Sequence, residues 1–174
     1  MGIVGQIISI IAMVFIILSF QCKSNRKLVI VMGTGAILFA TSYFLLNQPT
    51  AAVFNLIAVV CSIMCLSDKW KNKFSFGFVA LLYVVATLVT FEKQWSFNAV
   101  WAFALMLAQI AGTYSLMFGS GKFIRNMRFF FVSPAWLINN TAVGFTIGGT
   151  ICEIITMVSV IVSFIRYRKT GFEK

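Results

Sequence analysis

Glu153 stands inside a long apolar run, the only acidic residue of the chain placed there, and that position asks for a chemical explanation. An ionised carboxylate in hydrocarbon costs several kcal/mol at least, so such groups face a cavity, a partner or a proton path. Its chemistry would be hydrogen bonding to a polar solute or reversible protonation; the alternative is a structural anchor tied to Ser and Thr. No Lys or Arg within the apolar stretches is evident as its partner. Asn55 sits in a second apolar run, and its amide offers both donors and acceptors. Trp136, Asn139 and Asn140 form a compact polar and aromatic group. At helical spacing Trp136 and Asn140 share one face, with Asn139 beside them. An indole with amides alongside suits stacking on a sugar ring or a heteroaromatic base, or else an interfacial belt. Pro134, early in the same stretch, lacks an N–H and is expected to act as a hinge.

Other chemistries are missing. There is no His, which removes Ser-His-Asp and Cys-His catalysis and His-containing zinc sites. Cys61 and Cys65 lie one helical turn apart, and Cys22 and Cys152 are isolated, so the cysteines read as small packing residues rather than a disulfide or metal site. With no phosphate-binding loop and no paired carboxylates, neither enzyme activity nor a cofactor is expected.

The elements that must position these residues follow from composition. Hydrophobic residues make up 60% of the 174 and charged residues 10%, against about 45–50% and about 25% in a soluble domain. An ordinary soluble fold is excluded. Seven apolar stretches appear, at about Ile3–Phe20, Leu28–Leu46, Ala51–Leu66, Phe74–Phe91, Phe97–Met117, Arg128–Val143 and Gly148–Ile165. Most reach the ~17–25 residues of a tilted membrane helix. Continuous apolar runs exclude a β-barrel, whose strands alternate. The first stretch lacks a basic leader and a small-x-small cleavage site, so it is retained as helix 1 rather than a signal peptide.

A net charge of +10 could mark a nucleic-acid binder, but the charges fall in alternate connections. Lys23, Arg26 and Lys27 follow helix 1; Lys69, Lys71 and Lys73 follow helix 3; Lys122, Arg125 and Arg128 follow helix 5; Arg166, Arg168, Lys169 and Lys174 form the tail. Thirteen of the 14 basic residues thus lie on one side, and Lys93 alone on the other. The positive-inside rule puts the N-terminus outside and the C-terminus in the cytoplasm. Trp70 and Trp95 fit interfacial anchors. The expected partners are the lipid bilayer and a small-molecule solute, with homo-oligomers left open and no nucleic acid.

Seven helices divide as three, one and three: residues 1–66, a linker helix in 67–96, and 97–174, within a single membrane domain. Helix 4 reverses direction, so the second triple enters the membrane in the same sense as the first, a parallel repeat. An offset of 98 residues sets Lys27 on Arg125, Asn55 on Glu153, Cys61 on Ser159 and Cys65 on Ser163.

Several blocks resemble the YgjV-type family of small bacterial inner-membrane proteins. They are Gly5-Gln6, Asn25-Arg26-Lys27, Phe44-Leu45-Leu46 before Asn55, and above all Trp136-Leu137-Ile138-Asn139-Asn140, Gly148-Gly149-Thr150, Glu153 and Arg166-Tyr167-Arg168. The resemblance implies a multi-pass protein of the bacterial inner membrane. More distantly, the plan resembles the SWEET, PQ-loop and PnuC-like transporters, whose sugar carriers use a Trp on the second helix and an Asn on the third helix of a triple. Trp136 and Glu153 match those places in the second half and Asn55 in the first. Helix 2 has no Trp, Tyr43 being its nearest aromatic, and the Pro-Gln dipeptide is absent.

The expectation is an all-α, SWEET-like transporter or facilitator of a small polar or heteroaromatic solute (sugar, nucleoside or vitamin precursor), working by alternating access. Trp136, Asn55, Asn139, Asn140 and Glu153 would bind the solute, with Pro134 as hinge. The alternative is a non-transporting receptor, scaffold or assembly factor on the same fold.

Overall fold

The structure, a computed structural model, describes residues 2–90, 97–143 and 146–168. All regular structure in them is helical: α1 (Gly2–Gln21), α2 (Asn25–Leu45), α3 (Pro49–Cys65), α4 (Lys73–Val89), α5 (Phe97–Phe118), α6 (121–143) and α7 (Ile147–Arg166). Four of these, α1, α2, α5 and α7, are long and apolar enough to cross a membrane, while α3 and α4 are apolar and shorter at 17 residues each.

The sequence places element starts for physical reasons. Pro49 opens α3, where its missing N–H has no helical partner to lose. Asn72 Oδ1 caps α4 by accepting from the Ser75 N–H at 2.8 Å. Asn47 takes a left-handed φ of 57° in the tight α2–α3 connection, a conformation that Asn tolerates better than most residues. Trp70 is half exposed at the end of a short 3₁₀ turn, Asp68–Trp70, as an interfacial anchor would be. Trp95, Lys93, Gly144, Lys169 and Lys174 lie outside the described residues.

Helix α6 departs from the sequence reading. It starts at Gly121, capped by Ser120 Oγ, rather than at Arg128, and its α-helical turns alternate with wide π turns at Arg128–Val132 and Asn139–Val143. Pro134 follows the first π turn, so it sits mid-helix rather than early. A π turn re-pairs backbone groups that a proline interrupts, and it shifts which side chains face inward. Lys122, Arg125 and Arg128 are therefore helix residues, and the last two point into protein instead of forming a loop.

Helices pack in a ring. α1 lies against α2, α2 against α3, α3 against α5, α5 against α6, α6 against α7, and α7 against α1, with α4 covering α3 and α5. Small residues permit the close approaches. A Cβ at Gly35 would meet the Ile16 side chain at 2.8 Å, and one at Gly148 would collide with Ser9. The outward surfaces carry Phe44, Phe74, Phe130, Ile3 and Ile165, all strongly exposed, which suits a lipid solvent.

One end of the bundle is stapled by polar groups. Tyr167 Oη donates to the Gln21 carbonyl at 2.7 Å, and Gln21 Nε2 donates to Ser159 Oγ at 2.6 Å. Arg125, fully buried, donates from Nη2 to the Phe20 and Cys22 carbonyls, from Nη1 to Gly121 and from Nε to Ser163 Oγ. The guanidinium thus answers the open carbonyls at the α1 C-terminus, where a cation is also favoured by the helix dipole. Arg125→Met should lower stability in detergent micelles by at least about 2 kcal/mol, since each buried acceptor left without a partner costs about 1–3 kcal/mol. Arg125→Lys, which lacks the fork, should recover only part of it. Thermal unfolding followed by far-UV circular dichroism measures both, and an unchanged midpoint in Arg125→Met would contradict this role.

Candidate functional site

The ring of helices encloses a cavity in which the centre of a water-sized sphere can reach about 80 Å³, room for several waters or one small ring. Asn55 from α3, Trp136 from α6 and Glu153 from α7 all line it. Three residues singled out from sequence, far apart in the chain, are thus brought to one space. Gln109 from α5 and Tyr43 from α2 complete its polar and aromatic wall.

Glu153 is buried, and the sequence expectation that it lacks a basic partner is corrected here. Arg128 Nη2 donates to Glu153 Oε1 at 2.6 Å, and the Arg128 side chain also lines the cavity. The extra length of α6 is the reason: with the helix beginning at Gly121, Arg128 is two turns inside it. The guanidinium carbon lies 5.9 Å from the Phe20 ring centre, which gives the cation a second favourable contact. The pair is not saturated. Arg128 Nε is buried without a hydrogen-bond partner, and the Ser133 side chain lies within hydrogen-bonding reach of the Glu153 carboxylate.

Next to the ion pair stands an aromatic column. Tyr43 stacks on Trp136 with ring centres 5.8 Å apart and planes 20° from parallel, and Phe39 stacks on Tyr43 at 5.7 Å. The Tyr43 hydroxyl donates to Asn140 Oδ1 at 2.8 Å. One face of Trp136 is therefore covered by Tyr43, and Asn140 is committed to the same residue. Asn139 and Asn140 are buried but are not among the residues lining the cavity. The shared face expected for Trp136 and Asn140 is real, and what it meets is Tyr43. Asn55 Nδ2 donates to the Ala51 carbonyl at 2.9 Å, which fixes its amide plane. Gly149 makes room for this network: a Cβ there would come within 2.9 Å of both the Asn140 amide and the Tyr43 hydroxyl.

Sequence reasoning missed Arg128 and gave Tyr43 no role. For Arg128 a local signal existed in Ser120-Gly121, a helix start with a capping side chain, which would have drawn α6 back past the basic residues. Nothing local announces that α2 abuts α6. Cys61 and Cys65 are free thiols with sulfurs 4.0 Å apart, and Cys61 lines the cavity.

A model of a bacterial inner membrane protein family, YgjV, matches residues 3–171, nearly the whole chain. The chain belongs to the YgjV family of bacterial inner membrane proteins. Its apolar helices, with Phe and Ile side chains turned outward, accord with that location. No curated protein and no solved structure matches it.

The ion pair makes an energetic prediction. Removing one partner of a buried pair leaves an uncompensated charge and costs about 3–5 kcal/mol, whereas replacing both by apolar groups of similar size is often nearly neutral. Arg128→Met should therefore be strongly destabilising, and Arg128→Met with Glu153→Leu should regain most of the loss. Thermal unfolding in micelles tests this, and strictly additive losses would show that the two side chains do not act as a pair. Tyr43→Phe should cost about 1–3 kcal/mol by leaving the side-chain Oδ1 of Asn140 without its donor, with the Trp136 stack retained.

Proposed function

We propose that this chain is a transporter or facilitator of a small, polar or heteroaromatic solute, without enzymatic activity, working by alternating access between two triple-helix units. The units are residues 1–66 and 97–174, joined by α4 and its connections. The observation that carries the reading is the interior site itself: a buried charge pair, two amides and an aromatic column around a cavity inside a membrane bundle. Packing alone would favour apolar groups there.

The repeat is supported by geometry. α3 begins at Pro49 and α7 at Ile147, 98 residues apart. Gln48 Nε2 bonds Thr146 Oγ1 at 3.0 Å, again 98 residues apart. A residue and its repeat mate can touch only near the axis that relates them. The helix ring has the matching symmetry, because α3 meets α5 as α7 meets α1. α1 and α7 run parallel, with Ser9 beside Gly148 and Gln21 beside Tyr167, as an N-outside, seven-crossing, 3+1+3 plan requires. Arg125 and Arg128 are better read as interior groups than as loop charges, which leaves eleven of the thirteen basic residues as topology signals.

In this scheme Trp136 and Tyr43 present aromatic surface, Asn55 and Gln109 supply hydrogen bonds, and Arg128 with Glu153 supplies the polar centre. Asn140 holds the column through the Tyr43 hydroxyl, and Pro134 with its flanking π turns lets α6 bend. A receptor or scaffold on the same helices is the competing reading, favoured by the face of Trp136 that Tyr43 already covers.

Uptake into proteoliposomes across a panel of sugars, nucleosides and vitamin precursors tests the proposal. Saturable flux of at least one class is expected, reduced tenfold or more by Asn55→Ala or Trp136→Ala. Specific binding without flux would favour the receptor reading. Topology has its own test: in a variant keeping only Cys22 among the cysteines, a membrane-impermeant maleimide should label inverted but not right-side-out vesicles. The opposite pattern would reverse the proposed orientation.

A further inference from the structure

Building on the reading of the interior as a solute site, we propose that Gln109 and Asn55 are its specificity-determining residues. Together they bind the one neutral polar edge of an otherwise apolar, single-ring solute. Most polar groups around the cavity are already engaged. Tyr43 is bonded to Asn140, Arg128 to Glu153, and Ser62 to the Ala58 carbonyl. Thr113 lies within hydrogen-bonding reach of the Tyr83 hydroxyl and the Cys61 thiol. Gln109 is different. It lines the cavity and is more than nine-tenths buried, yet its amide makes no hydrogen bond among the described residues. Neither of its polar atoms is sealed off, for both keep surface that a water-sized sphere reaches. The same holds for Asn55 Oδ1, while Asn55 Nδ2 uses one N–H on the Ala51 carbonyl. Buried amides with open valences are costly unless an occupant of the cavity pairs with them.

Two primary amides define the chemistry of that occupant. Each offers a donor and an acceptor and carries no charge. The rest of the wall is largely apolar, with Ile16, Phe39, Leu116, Val132 and Trp136 among its members, and Arg128 and Glu153 neutralise each other. A charged solute would find no free counter-ion there, and a sugar would leave most of its hydroxyls without partners. A flat ring bearing one amide, lactam or hydroxyl group meets both conditions. The room available, about 80 Å³ to the centre of a water-sized sphere, suits one such ring. The placement also serves the proposed mechanism. Asn55 stands on α3 and Gln109 on α5, helices that pack together but belong to different triple-helix units. A solute bonded to both amides ties the two units across their seam.

The test uses the full-length chain in lipid nanodiscs with four single-ring probes: benzamide, benzoate, benzylammonium and glucose. Binding is followed by tryptophan fluorescence and thermal shift. Benzamide is expected to bind at least tenfold more tightly than each of the other three. Gln109→Met should weaken benzamide tenfold or more without lowering the melting temperature, because Gln109 has no hydrogen bond within the protein to lose. Unchanged benzamide affinity in this variant overturns the inference: a lowered melting temperature would then make Gln109 a packing residue, and an unchanged one would assign its amide to trapped water. If Gln109→Met fails to fold, the wild-type ranking and the isosteric Gln109→Glu decide, the latter being expected to lose benzamide and gain benzylammonium. Wild-type preference for a charged probe or for glucose overturns the inference and leaves transport standing. So does flux of other solutes with none of the four bound. Benzamide binding without flux across the solute panel supports the amide site and overturns transport, and absence of both overturns both.

Discussion

Two opposite charges out of water cannot be placed independently, and the contact between Arg128 and Glu153 sets conditions for much of this bundle. Each ion alone would cost several kcal/mol to bury; together, at 2.6 Å, they become tolerable but fix α6 against α7. Arg128 must then lie well inside α6, which requires the helix to begin at Gly121 and to carry basic residues in its first two turns. The π turn that starts at Arg128 and Pro134 in the next segment lie directly beside this contact. The wall around the pair is largely apolar, with Asn55, Gln109, Ser62 and Thr113 among its polar positions.

The two ends of the bundle differ in how they are held. At the basic end Arg125, Gln21, Ser159 and Tyr167 cross-link α1, α6 and α7 through short hydrogen bonds. At the opposite end the links between the two halves include the Gln48–Thr146 pair near the α3 and α7 starts and the Tyr43–Asn140 hydrogen bond, with Ser42 Oγ on the Gly5 carbonyl joining α1 to α2 within one half. Between them the centre relies on stacked rings and one charge pair. Such a distribution gives firm outer contacts and an interior whose polar groups keep unused hydrogen-bonding capacity.

Much of this was legible in the sequence, and the limits have physical causes. Continuous apolar runs located most helices to within a few residues, because hydrocarbon imposes length and composition together. Glu153 and Asn55 stood out because a polar group in an apolar run has few innocuous explanations, and both do line the cavity. The start of α6 was misplaced because hydropathy treats Lys122, Arg125 and Arg128 as loop charges. It cannot register that helix-terminal carbonyls and a carboxylate stand ready to receive two of them. Tyr43 escaped notice for a different reason: its partners, Trp136 and Asn140, are about a hundred residues away, and only the packing of α2 against the second half brings them together.

Opening of the interior site to the two sides in turn can be read out by a cysteine in the cavity wall. Ala58 lines the cavity on α3, one turn from Asn55. In a chain with the native cysteines replaced, Ala58→Cys should react with membrane-impermeant maleimides in both right-side-out and inverted vesicles. A transported solute should slow both reactions. Reaction from one side only, unchanged by any solute that the protein carries or binds, would contradict the account.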